Sequence, residues 1–231
     1  MSEQSRKVVL ITGGTDGLGK TIAKQLAPNH TVVISSANAQ KAEAVAHELG
    51  VESVVADVRD FASIQQAINQ VYENHKHIDV LINCAGLWIE GELESNDPEY
   101  MREVLEVNLL GLMYASKAVV PIMKQQNAGM IINVSSKSGL SHKPERSVYN
   151  ASKWGVTGFT KCLADDLKQY GIAVTGLFPG KMNTKLFERA GNPKQMDNAI
   201  ETEEVARLVE FLLGAPSNVV YPDVGIRHIS E

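Results

Sequence analysis

A glycine-rich segment between a strand and a helix constrains the fold of this chain more than any other feature. Val8–Ile11 is a continuous apolar run, typical of a strand buried on both faces of a parallel sheet. Thr12–Gly19 follows at once, and Ile22, Ala23 and Leu26 then repeat at helical spacing. Glycines permit a tight turn and let the backbone approach an anion at the helix N-terminus. The sequence predicts a turn that binds the pyrophosphate of a dinucleotide; the alternative is an ordinary glycine-rich turn.

Alternating strand-like and helix-like segments continue along the chain. Pro121 is expected to kink the longest helix or to mark its last turns, and Thr202 to cap a later one. Such alternation implies right-handed crossovers and a parallel, doubly wound sheet, hence an α/β fold. With 231 residues and no repeat or long linker, we expect one domain over 1–231. The further strands are predicted at 31–36, 51–57, 78–82, 130–135, 172–178 and 223–229, and the further helices at 39–49, 61–75, about 97–126, 149–170 and 202–212.

Composition limits the cellular setting and the partners. The chain is 44% hydrophobic and 21% charged, as expected of a soluble globular protein, and its net charge of −5 offers no basic surface for nucleic acid. Only four apolar residues follow the polar N-terminal stretch, too few for a signal sequence or a membrane span. With two cysteines, Cys84 and Cys162, we expect reduced thiols and a cytoplasmic protein without membrane contact. The histidines form no ligand-like cluster, so we expect no metal site.

A tyrosine and a lysine form the candidate proton-transfer site. Tyr149 and Lys153 are four residues apart, which places both on one face of a helix. A free tyrosine titrates near ~10, and an ammonium one turn away favours the phenolate. Ser136 lies thirteen residues before Tyr149 and could hydrogen-bond a substrate oxygen. The three residues predict proton transfer between a carbonyl and an alcohol; the alternative is ordinary packing and solvation.

The end of the second strand bears on the choice of nicotinamide cofactor. An acidic residue there suits a free ribose 2′-hydroxyl, and a basic residue suits a 2′-phosphate. Ser36 and Asn38, with Lys41 beyond them, offer hydrogen-bond donors, and no carboxylate is present. The sequence therefore favours NADP(H) slightly over NAD(H).

Two other polar residues have both a binding and a structural interpretation. Asp57, next to Val58, ends the third strand, where its carboxylate could accept from an adenine amino group or cap a helix or turn. Asn108 lies in an apolar stretch and is either a satisfied core amide or a polar link that holds a water near the base.

The substrate side of the site is less defined. Residues 181–200 are polar and poorly periodic, which suggests a mobile substrate lid or a plain surface insertion. Candidate pocket residues are Trp88, His142, Met182 and Phe187, because each follows a strand end or lies in that segment. Ordinary packing or surface exposure explains each of them equally well.

Over nearly its whole length, the sequence resembles the short-chain dehydrogenase/reductase family. The resemblance implies a single Rossmann-type domain with a seven-stranded parallel sheet, in the order 3-2-1-4-5-6-7, flanked by helices and binding NAD(H) or NADP(H). The motifs that carry it are, in chain order, Thr12–Gly19, Asp57, Asn83-Cys84-Ala85-Gly86, Asn108, Ser136, Tyr149-x-x-x-Lys153, and Pro179-Gly180 with Thr184.

The resemblance also implies roles for the site residues. Tyr149 would be the general acid/base, Lys153 would lower its pKa and bind the nicotinamide ribose, and Ser136 would polarise the carbonyl of a small-molecule substrate. Asn108 would anchor a water in the proton relay. The cofactor contacts implied by motif and position are Gly13, Thr15, Asp16, Gly17, Leu18, Gly19, Ser36, Asn38, Asp57, Val58, Asn83, Ala85, Gly86, Tyr149, Lys153, Pro179, Gly180 and Thr184.

Three departures from the family pattern qualify these expectations. Asp16 occupies a position where members that bind a 2′-phosphate often have a basic residue, which weakens the preference for NADP(H). Cys84 replaces a common asparagine, with little expected effect. Residues 221–231 lack the Asp-Gly-Gly tail of tetrameric members, so a homodimer is as consistent with the sequence as a homotetramer.

The alternative to an enzyme is a catalytically idle NAD(P)-binding sensor or scaffold. Such a protein would have no chemical need for Ser136, Tyr149, Lys153 and Asn108 together. The sequence therefore favours an oxidoreductase.

Overall fold

A parallel sheet of seven strands crosses the molecule in the order β3-β2-β1-β4-β5-β6-β7. The computed structural model describes residues 6–230. Every neighbouring pair of strands is parallel, which confirms the predicted Rossmann-type α/β topology. The strands are β1 Val8–Thr12, β2 Thr31–Ser36, β3 Glu52–Val55, β4 Val80–Asn83, β5 Gly129–Val134, β6 Ile172–Pro179 and β7 Asp223–Ile226.

Helices connect the strands and cover both faces of the sheet. Their starts follow local capping chemistry: the side chains of Asp16, Asn38 and Asp60 accept backbone N–H groups at the first turns of three of them. In the described chain the α-helices are α1 Gly17–Leu26, α2 Ala39–Leu49, α3 Phe61–His75, α4 Pro98–Leu105, α5 Gly111–Gln126, α6 Ser147–Leu167, α7 Leu186–Arg189 and α8 Thr202–Leu213.

The core lies in two layers, one on each face of the sheet. Successive residues of β1 alternate between them: Val9 and Ile11 pack with α1, α2 and α8, whereas Val8 and Leu10 pack with α3, α5 and α6. Because both faces are covered, β1 and β4 are buried along their whole length. The polar site residues therefore collect at the carboxyl ends of the strands.

Several boundaries differ from the predicted ones. A π-helical turn, Glu106–Leu110, divides the single helix predicted at about 97–126 into α4 and α5, and α5 contains Pro121 as predicted. Thr202 does not cap α8: Glu201 holds the cap position without a side-chain hydrogen bond. The Thr202 hydroxyl instead lies 2.9 Å from that of Thr21 on α1, so a tertiary contact replaces the local one.

Within residues 6–230, only the stretch Pro98–Gln126 is long and apolar enough to cross a membrane. It also contributes Ala115, Val119 and Met123 to the core against the sheet. Core helices pass the same test of length and composition, so the stretch is weak support for a span.

Candidate active site

The glycine turn after β1 brings the backbone against the end of β4. Gly13 and Gly17 have φ of +66° and +45°, in the region that favours glycine. A Cβ on Gly13 would lie 2.7 Å from the Ala85 Cα, and a Cβ on Gly19 would lie 2.4 Å from the Gly13 carbonyl oxygen. The Thr12 hydroxyl also accepts the Cys84 N–H at 3.1 Å. The two strand ends therefore form one crevice.

This crevice fits the pyrophosphate of a dinucleotide. The absence of side chains at Gly13 and Gly19 lets the backbone of the turn pack closely on itself and on Ala85, and both glycines line the crevice. The N–H groups of Leu18 and Gly19 lie in the first turn of α1, where no intrahelical acceptor exists. The predicted cofactor contacts that line the crevice are Gly13, Thr15, Asp16, Gly17, Leu18, Gly19, Ala85, Gly86, Tyr149, Lys153 and Thr184.

Other predicted cofactor contacts lie outside the crevice lining and have partners within the protein. Asn38 caps α2 through the Lys41 N–H at 2.8 Å, and Ser36 accepts the Asn38 N–H at 3.2 Å. Asn83 is buried and donates to Asn133 Oδ1 at 2.9 Å.

Asp57 and Val58 also lie outside the lining. The Arg59 guanidinium binds the Asp57 carboxylate and holds its pKa below the usual range. Asp57 does not cap the next helix, because Asp60 caps α3, but its side chain accepts the Arg59 N–H at 3.0 Å, which confirms the alternative that it caps a turn. Pro179 and Gly180 line the neighbouring cavity rather than the crevice.

Tyr149 lies where the crevice meets a second cavity. The first turns of α6 hold Tyr149 and Lys153, each only 5% exposed. The Ser136 hydroxyl, just after β5, hydrogen-bonds the Tyr149 side chain. Ser135 instead donates to the Lys153 carbonyl at 3.1 Å, so Ser136 is the serine that reaches the tyrosine. The Lys153 ammonium donates to the Val134 carbonyl at 3.0 Å and lies 5.8 Å from the Tyr149 ring centroid.

Burial dominates the titration of both groups. Burial raises the pKa of Tyr149 to about 12, against the opposing effects of the Ser136 hydrogen bond and the positive charge of Arg146. Burial also lowers the pKa of Lys153 to about 8. The role implied for Lys153, to lower the pKa of Tyr149, stays a prediction. The positive charge that lowers the pKa of the phenol in this structure is that of Arg146, a residue that no motif or spacing in the sequence indicated.

Asn108 holds the loop after β4 beside the lysine. It lies in the π-helical turn, where its Oδ1 accepts the Leu87 N–H at 2.7 Å. Its Nδ2 donates to the Leu87 carbonyl at 3.0 Å and to Ser152 Oγ at 3.1 Å. A Cβ on Gly86 would lie 3.4 Å from Asn108 Oδ1 and 3.9 Å from the Lys153 ammonium, so the loop passes between them.

A cavity of about 570 Å³ adjoins Tyr149. The Trp88 ring lies 4.3 Å from that of Tyr149 and 4.7 Å from that of Phe187. The prediction of Trp88, Met182 and Phe187 as pocket residues is confirmed. The prediction of His142 is wrong, because this side chain is exposed and outside the lining.

Residues 181–200 extend from the cavity to the crevice. Met182 and Ile200 pair as an isolated parallel bridge at the base of this segment. Arg189 forms an ion pair with Asp16 of the glycine turn, and Lys194 forms one with Glu90. The segment therefore contacts both sides of the candidate site.

No group of three or more histidine, cysteine, aspartate or glutamate side chains in residues 6–230 is placed to hold a metal ion.

Comparison with known proteins places this site in a family context. The sequence profile of the short chain dehydrogenase family matches residues 7–195. The chain is 34% identical to the trans-4-hydroxycyclohexanecarboxylate dehydrogenase of Sinomonas cyclohexanicum, over 93% of this chain and 88% of that protein.

Two solved structures share both the fold and the length of the chain. The alcohol dehydrogenase of the archaeon Thermococcus sibiricus, complexed with 5-hydroxy-NADP, matches with a TM-score of 0.90 and 26% identity over 98% of both chains. The 3-ketoacyl-(acyl-carrier-protein) reductase of Brucella melitensis, complexed with NADH, matches with a TM-score of 0.88 and 26% identity over 96% of this chain and 97% of that one. From this profile, this fold and these relatives it follows that the chain belongs to the short-chain dehydrogenase/reductase family and is a nicotinamide-dependent oxidoreductase.

Proposed function

We propose that this enzyme interconverts a small-molecule carbonyl compound and its alcohol with Tyr149 as general acid/base. The observation that supports this most directly is the position of Tyr149, which lines both the crevice and the cavity and hydrogen-bonds Ser136. A nicotinamide cofactor bound in the crevice supplies or accepts the hydride.

The hydroxyl groups of Tyr149 and Ser136 both act on the substrate oxygen. In reduction, Tyr149 donates a proton to the carbonyl oxygen and Ser136 donates a hydrogen bond to it. A raised pKa keeps Tyr149 protonated at neutral pH, and the protonated phenol is the form that donates the proton in reduction. Alcohol oxidation needs the phenolate instead, so its rate should rise with pH.

Lys153 and Asn108 act around this pair. Lys153 lines the crevice beside Tyr149, where its ammonium would hold the ribose of the cofactor. Asn108 is a positioning residue, because its amide fixes the Leu87 backbone next to the crevice.

The test is Tyr149→Phe, assayed with a panel of carbonyl compounds and alcohols and with both cofactors. Turnover should fall by about 10²–10⁴-fold, the usual contribution of general acid–base catalysis, while cofactor affinity stays unchanged. Tyr72→Phe, on α3, is the matched control. Undiminished turnover in Tyr149→Phe would refute the assigned acid. Cofactor binding by the wild type without turnover of any compound would favour the sensor or scaffold.

We also propose a preference for NADP(H) over NAD(H). Lys41 and Arg189 both pair with the single carboxylate of Asp16 and line the crevice, which leaves a net positive charge there. A 2′-phosphate would add the missing anion. Lys41→Gln and Arg189→Gln should each raise the KM for NADPH about tenfold or more, since a charged hydrogen bond contributes about 1.5–3 kcal/mol. The KM for NADH should not change in these variants. In the control Lys24→Gln, the KM for both cofactors should stay at the wild-type value. An equal increase in KM for NADPH and NADH would contradict the proposed preference.

Residues 181–200 are proposed as the substrate lid. The Met182–Ile200 bridge fixes both ends of the segment at one point, so the part between them can move as a unit. Its outer contacts include the ion pairs of Arg189 with Asp16 and of Lys194 with Glu90, and the ring contact of Phe187 with Trp88. These are few enough to break when ligands enter and leave.

A further inference from the structure

The cavity beside Tyr149 is strongly basic although the chain is acidic. Aspartate and glutamate outnumber lysine and arginine by 27 to 22 in the whole chain. None of the described residues that line the cavity is acidic. Composition alone therefore does not explain the accumulation of positive charge. The basic residues of the lining are Lys137, Lys143, Arg146, Lys181 and Lys194.

Arg146 is the best placed of these cations to bind a ligand. Its Nε donates to Glu90 at 2.8 Å, and its guanidinium carbon lies 4.9 Å from the centroid of the Trp88 ring. These contacts fix the plane of the guanidinium while leaving its two terminal nitrogens without a hydrogen-bond acceptor in residues 6–230. A planar guanidinium with two donors side by side matches a carboxylate. Glu90 also pairs with Lys194, so one carboxylate faces two cations and a positive charge remains.

Trp88 contributes a second, independent sign of a bound ligand. Its side chain lines the cavity and is 4% exposed, yet its indole N–H has no acceptor among residues 6–230. A buried donor without a partner costs about 1–3 kcal/mol. An oxygen atom of a bound substrate would remove that cost.

We infer that the substrate is a carbonyl acid or the corresponding hydroxy acid, with its carboxylate on Arg146 and its carbonyl or hydroxyl at Tyr149. This rests on the proposed function, since it names the substrate class of the same site. The indole N–H of Trp88 donates to the substrate, and Phe187 and Met182 cover its apolar part. A cavity of about 570 Å³ suits a small organic acid.

Carboxylate recognition can be measured without turnover. The chain has two tryptophans, and Trp154 is 51% exposed, so Trp154→Phe leaves Trp88 as the single fluorophore at little structural cost. This protein, saturated with cofactor, is titrated with cyclohexanecarboxylate and with its neutral isostere cyclohexanecarboxamide. We expect the carboxylate to bind at least about tenfold more tightly than the carboxamide, and we expect its affinity to fall as salt is added.

Variants then identify the group responsible. Arg146→Met should abolish the difference in affinity between the two ligands. If loss of the Glu90 contact unfolds this variant, Arg146→Lys takes its place and should retain only part of the difference. Lys168→Met, a highly exposed site on the 3₁₀ turn after α6, should leave the difference intact. Equal affinity of the wild-type site for carboxylate and amide would overturn the inference, as would a preference that survives in Arg146→Met.

Turnover separates this inference from the proposed function. The probes are 2-, 3- and 4-oxo acids and their methyl esters. Faster reduction of the acids supports the inference. Equal reduction of acids and esters would refute only the carboxylate assignment, whereas no reduction of any carbonyl would refute the proposed function itself.

Discussion

Lys153 places an ammonium group in the interior of the protein, at the centre of the candidate site. The Val134 carbonyl accepts one of its three protons, and burial lowers its pKa to about 8. The free-energy cost of burying this charge is therefore larger than the stabilisation that the hydrogen bond provides. A residue that costs stability and remains in a core is typical of a functional site.

Replacement of this ammonium should raise stability. At pH 7 we expect the free energy of unfolding of Lys153→Met to exceed that of the wild type by about 2 kcal/mol, since each pKa unit corresponds to about 1.4 kcal/mol and a lost hydrogen bond offsets part of the gain. Below pH 8, the lysine is protonated in both the folded and the unfolded chain, so the full cost is present. Between about 8 and 10.5, the folded wild type releases its proton first and the cost disappears.

Urea denaturation at several pH values would measure this difference. The gap between Lys153→Met and the wild type should narrow as pH rises from 8 to 10.5, and Lys168→Met should show no such trend. If Lys153→Met is less stable than the wild type at pH 7, or if the difference in unfolding free energy does not depend on pH, the ammonium does not destabilise the fold.

The glycine turn is the element on which the crevice depends, and one substitution tests it. Gly19→Ala would place a Cβ 2.4 Å from the Gly13 carbonyl oxygen, a backbone atom that cannot move without opening the turn. We expect a loss of about 2 kcal/mol or more of stability, and at least tenfold weaker cofactor binding.

Gly158→Ala on α6 is the matched control for this change. Nothing lies within 4 Å of its added Cβ, and alanine suits a helix better than glycine does, so stability should rise by about 0.5–1 kcal/mol. Thermal unfolding and cofactor titration of both variants measure these effects. Equal behaviour of the two alanine variants would mean that close packing of the turn is not what forms the crevice.

Elements were predictable from sequence where the determinants are local or periodic. The buried runs of β1 and β4, the glycine turn and the spacing of Tyr149 and Lys153 fix local geometry, and chain alternation fixes the parallel topology. The π-helical turn Glu106–Leu110 was missed because no local pattern distinguishes it from the helices on either side.

Contacts between distant segments were not predictable in the same way. Arg146 contacts Glu90 and Trp88 across more than fifty residues of chain, and Arg189 pairs with Asp16 of the glycine turn. The sign and size of the pKa shift at Tyr149 depend on burial, which the spacing of two residues does not reveal.

On the scale of the whole molecule, most of the large apolar side chains that remain exposed in residues 6–230 belong to two groups. The first, here the helical surface, comprises Leu105, Leu110 and Trp154, at the ends of α4 and of the π-helical turn and on α6. The second, the C-terminal surface, comprises Phe211 on α8 and residues 219–221 before β7. Exposed apolar groups gathered in this way are typical of contacts between subunits.

We propose a homotetramer in which each surface meets its own copy across a two-fold axis; two such self-complementary surfaces give a closed assembly of four chains when their axes cross at right angles. Leu110→Glu and Phe211→Glu, at side chains 39% and 58% exposed, should each introduce charge into one interface and leave the monomer fold intact. Light scattering should then give a dimer for each single variant and a monomer for the double variant. A wild-type dimer that only one of the substitutions dissociates would show that a single surface mediates assembly. A wild-type monomer would show that neither does, and that both surfaces serve some other contact.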